Sequence, residues 1–241
     1  NLEDHLGYMY RERPKAGAVS LVLGAGNVAS IGPLDVVHKL FVEGQVCMLK
    51  MNPVNDYLGP FVEETFGRLI QDGFVQVVYG GADVGKYLCE HSEVDEIHIT
   101  GSDKTHDAIV FGVGEEGIER KRNNEPQNTK RITSELGNVS PIVVVPGSWT
   151  QSEMRFQAEN VATQMTNNGG FNCNAAKMII VWEEWAQKRD FMDMLACVLA
   201  EIPQRVAYYP GAFQRYEHFV SQHASPIKVG IQDDKHLPWT L

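Results

Sequence analysis

An α/β protein built on a parallel sheet is the fold that this sequence predicts, and three observations point to it. Strand-sized apolar runs alternate with longer segments whose apolar residues recur at helical spacing. Several of the runs end in a glycine-bearing turn that opens a helix, as at Gly24-Ala25-Gly26-Asn27 and Gly101-Ser102. The connections are long enough to carry a right-handed crossover between parallel strands.

Taken in order, residues 18–24 form the first apolar strand, and a helix runs from about Pro33 to Val42. Val46 to Lys50 is the second strand, followed by a helix from Tyr57 to Gln71, a strand from Val75 to Tyr79, a helix from Val84 to His91 and a strand from Glu96 to Thr100. Between Phe111 and Lys130 the charged run Gly114 to Pro126 is too polar for a core, and is read as a helix end and an exposed loop. A strand at Arg131 to Glu135 leads through Leu136-Gly137-Asn138 to another at Pro141 to Pro146. The Gly-Asn break divides a domain of residues 1–136 from one of residues 137–241. A helix from Ser152 to Asn167, a strand at Met178 to Trp182 and a helix from Glu184 to Glu201 follow, and the tail from Tyr208 is irregular.

Bulk chemistry narrows the partners. The formal charge of -10 argues against nucleic acid and anionic membrane surfaces, which demand clustered cations. Runs such as Met178 to Trp182 are too short to span a bilayer, and Asn1 to His5 shows no signal-peptide pattern. Cys47, Cys89, Cys173 and Cys197 have neither paired nor metal-ligand spacing, which makes a reducing cytoplasm the expected compartment. His5, His38, His91, His98 and His106 share no ligand spacing, so no metal site is expected. Cys47 in a buried strand and Cys197 on an apolar helix face are read as packing residues, and Arg120-Lys121-Arg122 as a solvated loop face. The chain does not begin with Met and ends in Pro238-Trp239-Thr240-Leu241, which reads as part of a longer polypeptide.

Chemistry concentrates at a few positions. Cys173 stands in the small, polar run Asn167 to Lys177, which offers a thiol access, backbone N–H groups and little bulk; an unreactive cysteine at a loop-to-helix junction fits as well. Glu135, at a strand end beside Leu136-Gly137, is either a proton-handling group or a surface carboxylate. Asn27 follows the first strand, where parallel sheets place ligands, and serves either an oxyanion or its own turn. Thr100-Gly101-Ser102 joins a strand to a helix, so its free N–H groups suit a diphosphate.

In this order the fragments resemble the aldehyde dehydrogenase superfamily. Asn168-x-Gly170-Phe171-Asn172-Cys173-Asn174-Ala175 is similar to that family's Asn-x-Gly-Gln-x-Cys-x-Ala motif, and Glu135-Leu136-Gly137-Asn138-Val139-Ser140-Pro141 to its Glu-Leu-Gly-Gly-Lys-Ser-Pro motif. Ile99-Thr100-Gly101-Ser102 resembles the Phe-Thr-Gly-Ser turn, and Gly44 to Pro53 the Gly-Asn-x-Val-x-x-Lys-Pro strand. The resemblance implies a Rossmann-like cofactor domain followed by part of an α/β catalytic domain. It implies NAD(P)-dependent oxidation of a small-molecule aldehyde, with Cys173 as nucleophile, Glu135 as general base, and Asn27 with the Cys173 N–H as oxyanion hole. Lys50, Asn52, Gly81, Thr100, Gly101, Ser102, Leu136 and Gly137 would hold NAD or NADP, and the full-length protein would be a homo-oligomer.

The departures matter too. Gly26 and Val28 replace the Trp and Phe that flank the family's oxyanion asparagine, Phe171 replaces the glutamine before the nucleophile, and His106 replaces a turn glycine. Pro53 stands where many members carry a ribose-gripping glutamate, which leaves NADP as plausible as NAD. Two other functions stay open at this point: a coenzyme A-acylating enzyme on the same fold, and a catalytically silent binding or structural paralogue.

Overall fold

The computed structural model describes residues 16–241, together with residues 7 and 11. The chain divides into two compact units, the first ending at Gly137 and the second spanning Asn138–Leu241.

In the first unit, β1 (Val19–Leu23), β2 (Val46–Lys50), β3 (Val75–Val78), β4 (Glu96–Gly101) and β5 (Arg131–Leu136) form one parallel sheet in the order β3-β2-β1-β4-β5. The chain steps outward from β1 to β3 and then returns to β4 on the other side. The topological switch point therefore lies between β1 and β4, and ligands of open α/β sheets bind at that crevice. The connecting helices are α1 (Ile31–Phe41), α2 (Gly59–Thr65) and α3 (Gly67–Gln71), α4 (Ala82–Glu90), and α5 (Asp103–Phe111) with α6 (Gly114–Asn123). Beneath α1 and α2 lie Val22, Cys47, Leu49, Val75 and Val77. On the opposite face Leu21 and Ile97 pack with Leu88 and Cys89 of α4.

Two expectations for this unit need correction. The helix expected over Tyr57 to Gln71 is broken into a 3₁₀ turn, Asp56–Leu58, and two short helices that meet at Phe66, whose ring is buried while Gly67, a poor helix former, opens the second. The charged run expected to be a helix end and an exposed loop folds over Gly114–Asn123 as the helix α6. Glu115 and Glu116 occupy its first turn and Arg120, Lys121 and Arg122 its last, which complements the helix dipole, and Asn124 ends it in the left-handed conformation at φ 55°. The Glu116–Arg120 pair, 3.2 Å apart, lies along one face of the helix, and Lys121 reaches Asp107 on α5. Arg120-Lys121-Arg122 is thus a helix end, not a loop face.

The second unit pairs β6 (Pro141–Val144) with β7 (Met178–Val181) in parallel, and packs them on α7 (Gln151–Thr166) and α8 (Lys188–Glu201). Thr150 and Glu153 form a full capping box at the start of α7. The expected helix start at Glu184 moves to Lys188, because Trp185 turns inward and its Nε1 donates to Gly147 O at 2.9 Å. Cys197 corrects another expectation: α8 buries Phe191, Leu195, Val198 and Leu199, and Cys197, two residues past Leu195, falls on the exposed side. The tail is not irregular. It forms α9 (Ala212–Ser221) and an antiparallel pair, β8 (Lys228–Val229) and β9 (Trp239–Thr240). His5 lies outside the described residues.

Candidate functional site

In the first unit the sequence-predicted residues gather along the C-terminal edge of the sheet. Asn27 is half-buried in the loop between β1 and α1. That loop is pinned from β2: Gly24 N donates to Lys50 O at 3.0 Å, Asn52 Nδ2 to Gly24 O at 3.3 Å, and Asn55 Nδ2 to Ala25 O at 2.9 Å. Asn52 Oδ1 accepts from Val54 N at 3.1 Å, so both ends of this amide are engaged in turn structure.

Lys50 is buried, with its ammonium donating to Gly80 O at 2.6 Å and Met51 O at 3.3 Å, and burial pushes its pKa below the ordinary value. The structure thus brings Lys50 together with the Gly80-Gly81 turn, where Gly80 adopts φ 130°, closed to most L residues, and Gly81 caps α4. Across the switch point, Ser102 caps α5: its Oγ accepts from Thr105 N at 3.1 Å, and an exposed nine-residue helix begins there with open N–H groups. These features fit a dinucleotide: a lysine ammonium, two turns at strand ends and a helix N-terminus.

Glu135 is exposed near the end of the edge strand β5 and lies in register with Thr100 on β4; Leu136 pairs with Gly101, and Gly137 closes the unit. The same sheet face carries a line of buried and half-buried polar groups that sequence reasoning missed. Thr100 Oγ1 donates to Asp35 Oδ2 at 3.4 Å, Asp35 stands 3.5 Å from His98 Nε2, and His98 Nδ1 is 2.8 Å from Thr133 Oγ1. Below them Lys39, almost fully buried, pairs with Glu96, with Glu43 at 2.9 Å and with Thr133 at 3.5 Å. The signal was the alternation Glu96-Ile97-His98-Ile99-Thr100, a polar face in a strand expected to be apolar on both sides.

Cys173 belongs to the second unit and is half-buried in a turn between α7 and β7. It follows Asn168, Gly169 and Gly170, all left-handed at φ 52°, 65° and 78°. Three such residues in succession fold the chain back on itself, which glycine permits at no steric cost. Asn172 Nδ2 donates to Asn167 Oδ1 at 2.9 Å, and Ala175 N to Asn172 O at 3.1 Å. No group among the described residues accepts from the Cys173 N–H. Phe171, in place of the family's glutamine, stacks on Tyr209 and meets Tyr208 edge-on at 5.0 Å, so the residue before the thiol region anchors the turn to the tail. Burial lowers the Lys177 pKa and a Cys173 thiolate opposes that shift, which puts cation and sulfur within electrostatic reach. Burial pushes the Cys47 thiol up to about 12 and the Cys89 thiol up to about 11.

Among the described residues no group of three or more His, Cys, Asp or Glu side chains could hold a metal, and no helix is long and apolar enough to cross a membrane.

Comparison with known proteins gives a consistent result. A family model described as the aldehyde dehydrogenase family matches residues 21–205. The chain is 27% identical over 170 residues to N-succinylglutamate 5-semialdehyde dehydrogenase of Novosphingobium aromaticivorans, covering 70% of this chain and 33% of that protein. It is 28% identical over 138 residues to 4-trimethylaminobutyraldehyde dehydrogenase A of Danio rerio, covering 57% and 24%. The chain therefore spans about a third or less of the length of these two curated relatives. An oxidoreductase from Marinobacter aquaeolei superposes with a TM-score of 0.70 at 21% identity, covering 93% of this chain and 47% of that one. NADP-dependent glyceraldehyde-3-phosphate dehydrogenase from Bacillus halodurans, solved with NADP, gives 0.65 at 16%, covering 92% and 46%. At these identities the two structures share the fold.

Proposed function

The chain belongs to the aldehyde dehydrogenase family, and on that premise we propose that it supplies the nucleophile, the base and much of the cofactor site of an NAD(P)-dependent aldehyde oxidation. The observation that carries this reading is the Cys173 turn: a half-buried thiol that follows three left-handed residues and whose own N–H is unengaged among the described residues.

The Cys173 thiolate attacks the aldehyde carbon to form a thiohemiacetal, and its oxyanion is held by the Asn27 amide and the Cys173 N–H. NAD or NADP, when bound, would supply the acceptor for the hydride that the thiohemiacetal must lose to become a thioester. Glu135 takes a proton from water as that water attacks the thioester, and the C–S bond breaks to return Cys173 as a thiolate and the product as a carboxylate. Lys50, Asn52 and the Gly80-Gly81 turn would hold the adenosine end, Ser102 and the α5 N-terminus the diphosphate, and Thr100, Gly101, Leu136 and Gly137 the nicotinamide end. Pro53 presents no carboxylate to repel a 2′-phosphate, which leaves NADP as plausible as NAD. The two curated relatives are named for aldehydes that carry a second charged group, which makes short charged aldehydes the first substrates to try.

The test is aldehyde-dependent reduction of NAD and of NADP by the protein purified with its full reading frame. Cys173→Ser should abolish it, and Glu135→Gln should leave a first-turnover burst of reduced cofactor followed by slow hydrolysis. Wild-type turnover in Cys173→Ser would end the assignment of the nucleophile.

A further inference from the structure

The loop that presents Asn27 is held by a device outside the motifs. Its carbonyls at Gly24 and Ala25 point toward the turn after β2, where Asn52 and Asn55 each place an amide N–H on one of them, at 3.3 and 2.9 Å. Asn55 is 7% exposed, and its Oδ1 has no hydrogen-bond partner among the described residues. A buried acceptor without a partner is a cost that native proteins seldom tolerate. Here it accompanies the orientation that gives Ala25 O its donor.

Position 26 closes the device. A Cβ on Gly26 would lie 2.7 Å from Asn52 Oδ1 and 2.8 Å from its Cγ, well inside contact distance, and the φ of Gly26 is not in the left-handed region. A side chain at 26 would thus displace the packed Asn52 amide, and this packing, not backbone conformation, favours glycine there. On the far side of Asn27, Ile31 N donates to Val28 O at 3.4 Å and α1 begins. Asn27 therefore sits between a pinned turn and a helix N-terminus, with few backbone torsions left to adjust.

We propose that Asn52 and Asn55 are positioning residues that clamp the Gly24–Gly26 turn and so aim the Asn27 amide at the developing oxyanion, a role for Asn52 apart from cofactor binding. This rests on the reading of Asn27 as an oxyanion donor. A clamp of this kind acts on transition-state geometry, and misplacement by about 1 Å can cost on the order of 100-fold in rate. Asn55 and Gly26 lie outside the groups assigned to substrate and cofactor, so their replacement should leave both affinities in place.

Asn55→Ala, Asn55→Asp and Gly26→Ala, with Asn27→Ala as reference, test the idea in the protein purified with its full reading frame. Two rates are read in each: aldehyde-dependent cofactor reduction, and alkylation of Cys173 by iodoacetamide, which displaces iodide and forms no oxyanion. The clamp variants should lose about 10- to 100-fold in kcat with the aldehyde KM, the cofactor Kd and the Cys173 alkylation rate within about twofold of wild type. Asn55→Asp, which keeps size and loses the donor, should match Asn55→Ala. A kcat at the wild-type level in Asn55→Ala and Gly26→Ala, with Asn27→Ala impaired, overturns the clamp alone. An unimpaired Asn27→Ala overturns the oxyanion reading and the clamp with it. Parallel losses of turnover and of alkylation rate, or a shifted unfolding midpoint that tracks activity, would show a general structural defect and reject the positioning role.

Discussion

The two halves of the sheet face beneath α1 and α2 are built on opposite principles. Toward β3 the face is apolar, with Val22, Cys47, Leu49, Val75 and Val77 packed on Val36, Val62 and Phe66. Toward β5 it carries Glu96, His98 and Thr100 beside Arg131, Thr133 and Glu135, in register across two strands. The helix α1 serves both halves, contributing Val36 to one and Asp35 and Lys39 to the other. Parallel strands under a helix are therefore not obliged to be apolar on both faces, provided that each buried charge finds an opposite charge and hydrogen bonds. The polar half stands next to Glu135 and Thr100, the apolar half behind the strands that carry Lys50 and the Asn27 loop.

The sharpest break of this contrast is Lys39→Met. It leaves Glu96 buried without its main partner and should cost about 3–5 kcal/mol in denaturant unfolding, whereas Lys39→Met with Glu96→Leu should recover most of that loss. If the double variant is no more stable than the single one, packing around Lys39 and not charge holds the polar half together. Leu49→Ala probes the apolar half and should cost about 2–5 kcal/mol through lost burial and a residual cavity, independent of pH between neutrality and the carboxylate range.

Acid should separate the halves. Burial raises the Glu96 and Glu43 carboxyls, but hydrogen bonds from Lys39 and Arg131, with Gln45 on Glu96, outweigh it and hold both below 4.5. Groups depressed in the folded state contribute stability that is present above the unfolded value and is lost as pH falls through the folded one. Unfolding free energy should therefore decline below about pH 4.5, and Glu96→Gln should flatten that decline. An acid limb unchanged by Glu96→Gln would place the sensitivity elsewhere. Arg131→Gln is the smallest effect: Arg131 is 59% exposed, so its contacts with Glu43 and Glu96 are screened by solvent, and the loss should be about 1 kcal/mol or less.

The legible parts of the sequence are those whose signal is local. The order of strands and helices through Thr100 was readable from apolar periodicity, as was the polar, glycine-rich setting of Cys173. What was missed depends on partners far apart in sequence. Lys39 and Glu96, separated by 57 positions, become a core pair only when β4 lies under α1. In the run Gly114 to Pro126, read as a helix end and an exposed loop, charge hides a full helix that gains from its dipole and from Asp107, not from a buried face. Cys197 was assigned to the wrong side of α8, where apolar neighbours in sequence did not decide the face. Asn55 carries no motif at all; its pairing with Ala25 is visible only in three dimensions.

The packing of Asn52 against Gly26 also bears on how related sequences vary. A side chain at 26 and an amide at 52 compete for one volume, so neither position is free to change alone. Across homologues the two should therefore co-vary. A large residue at the place of Gly26 should accompany a small one at the place of Asn52, and the combination found here should recur as a linked pair that marks a subgroup.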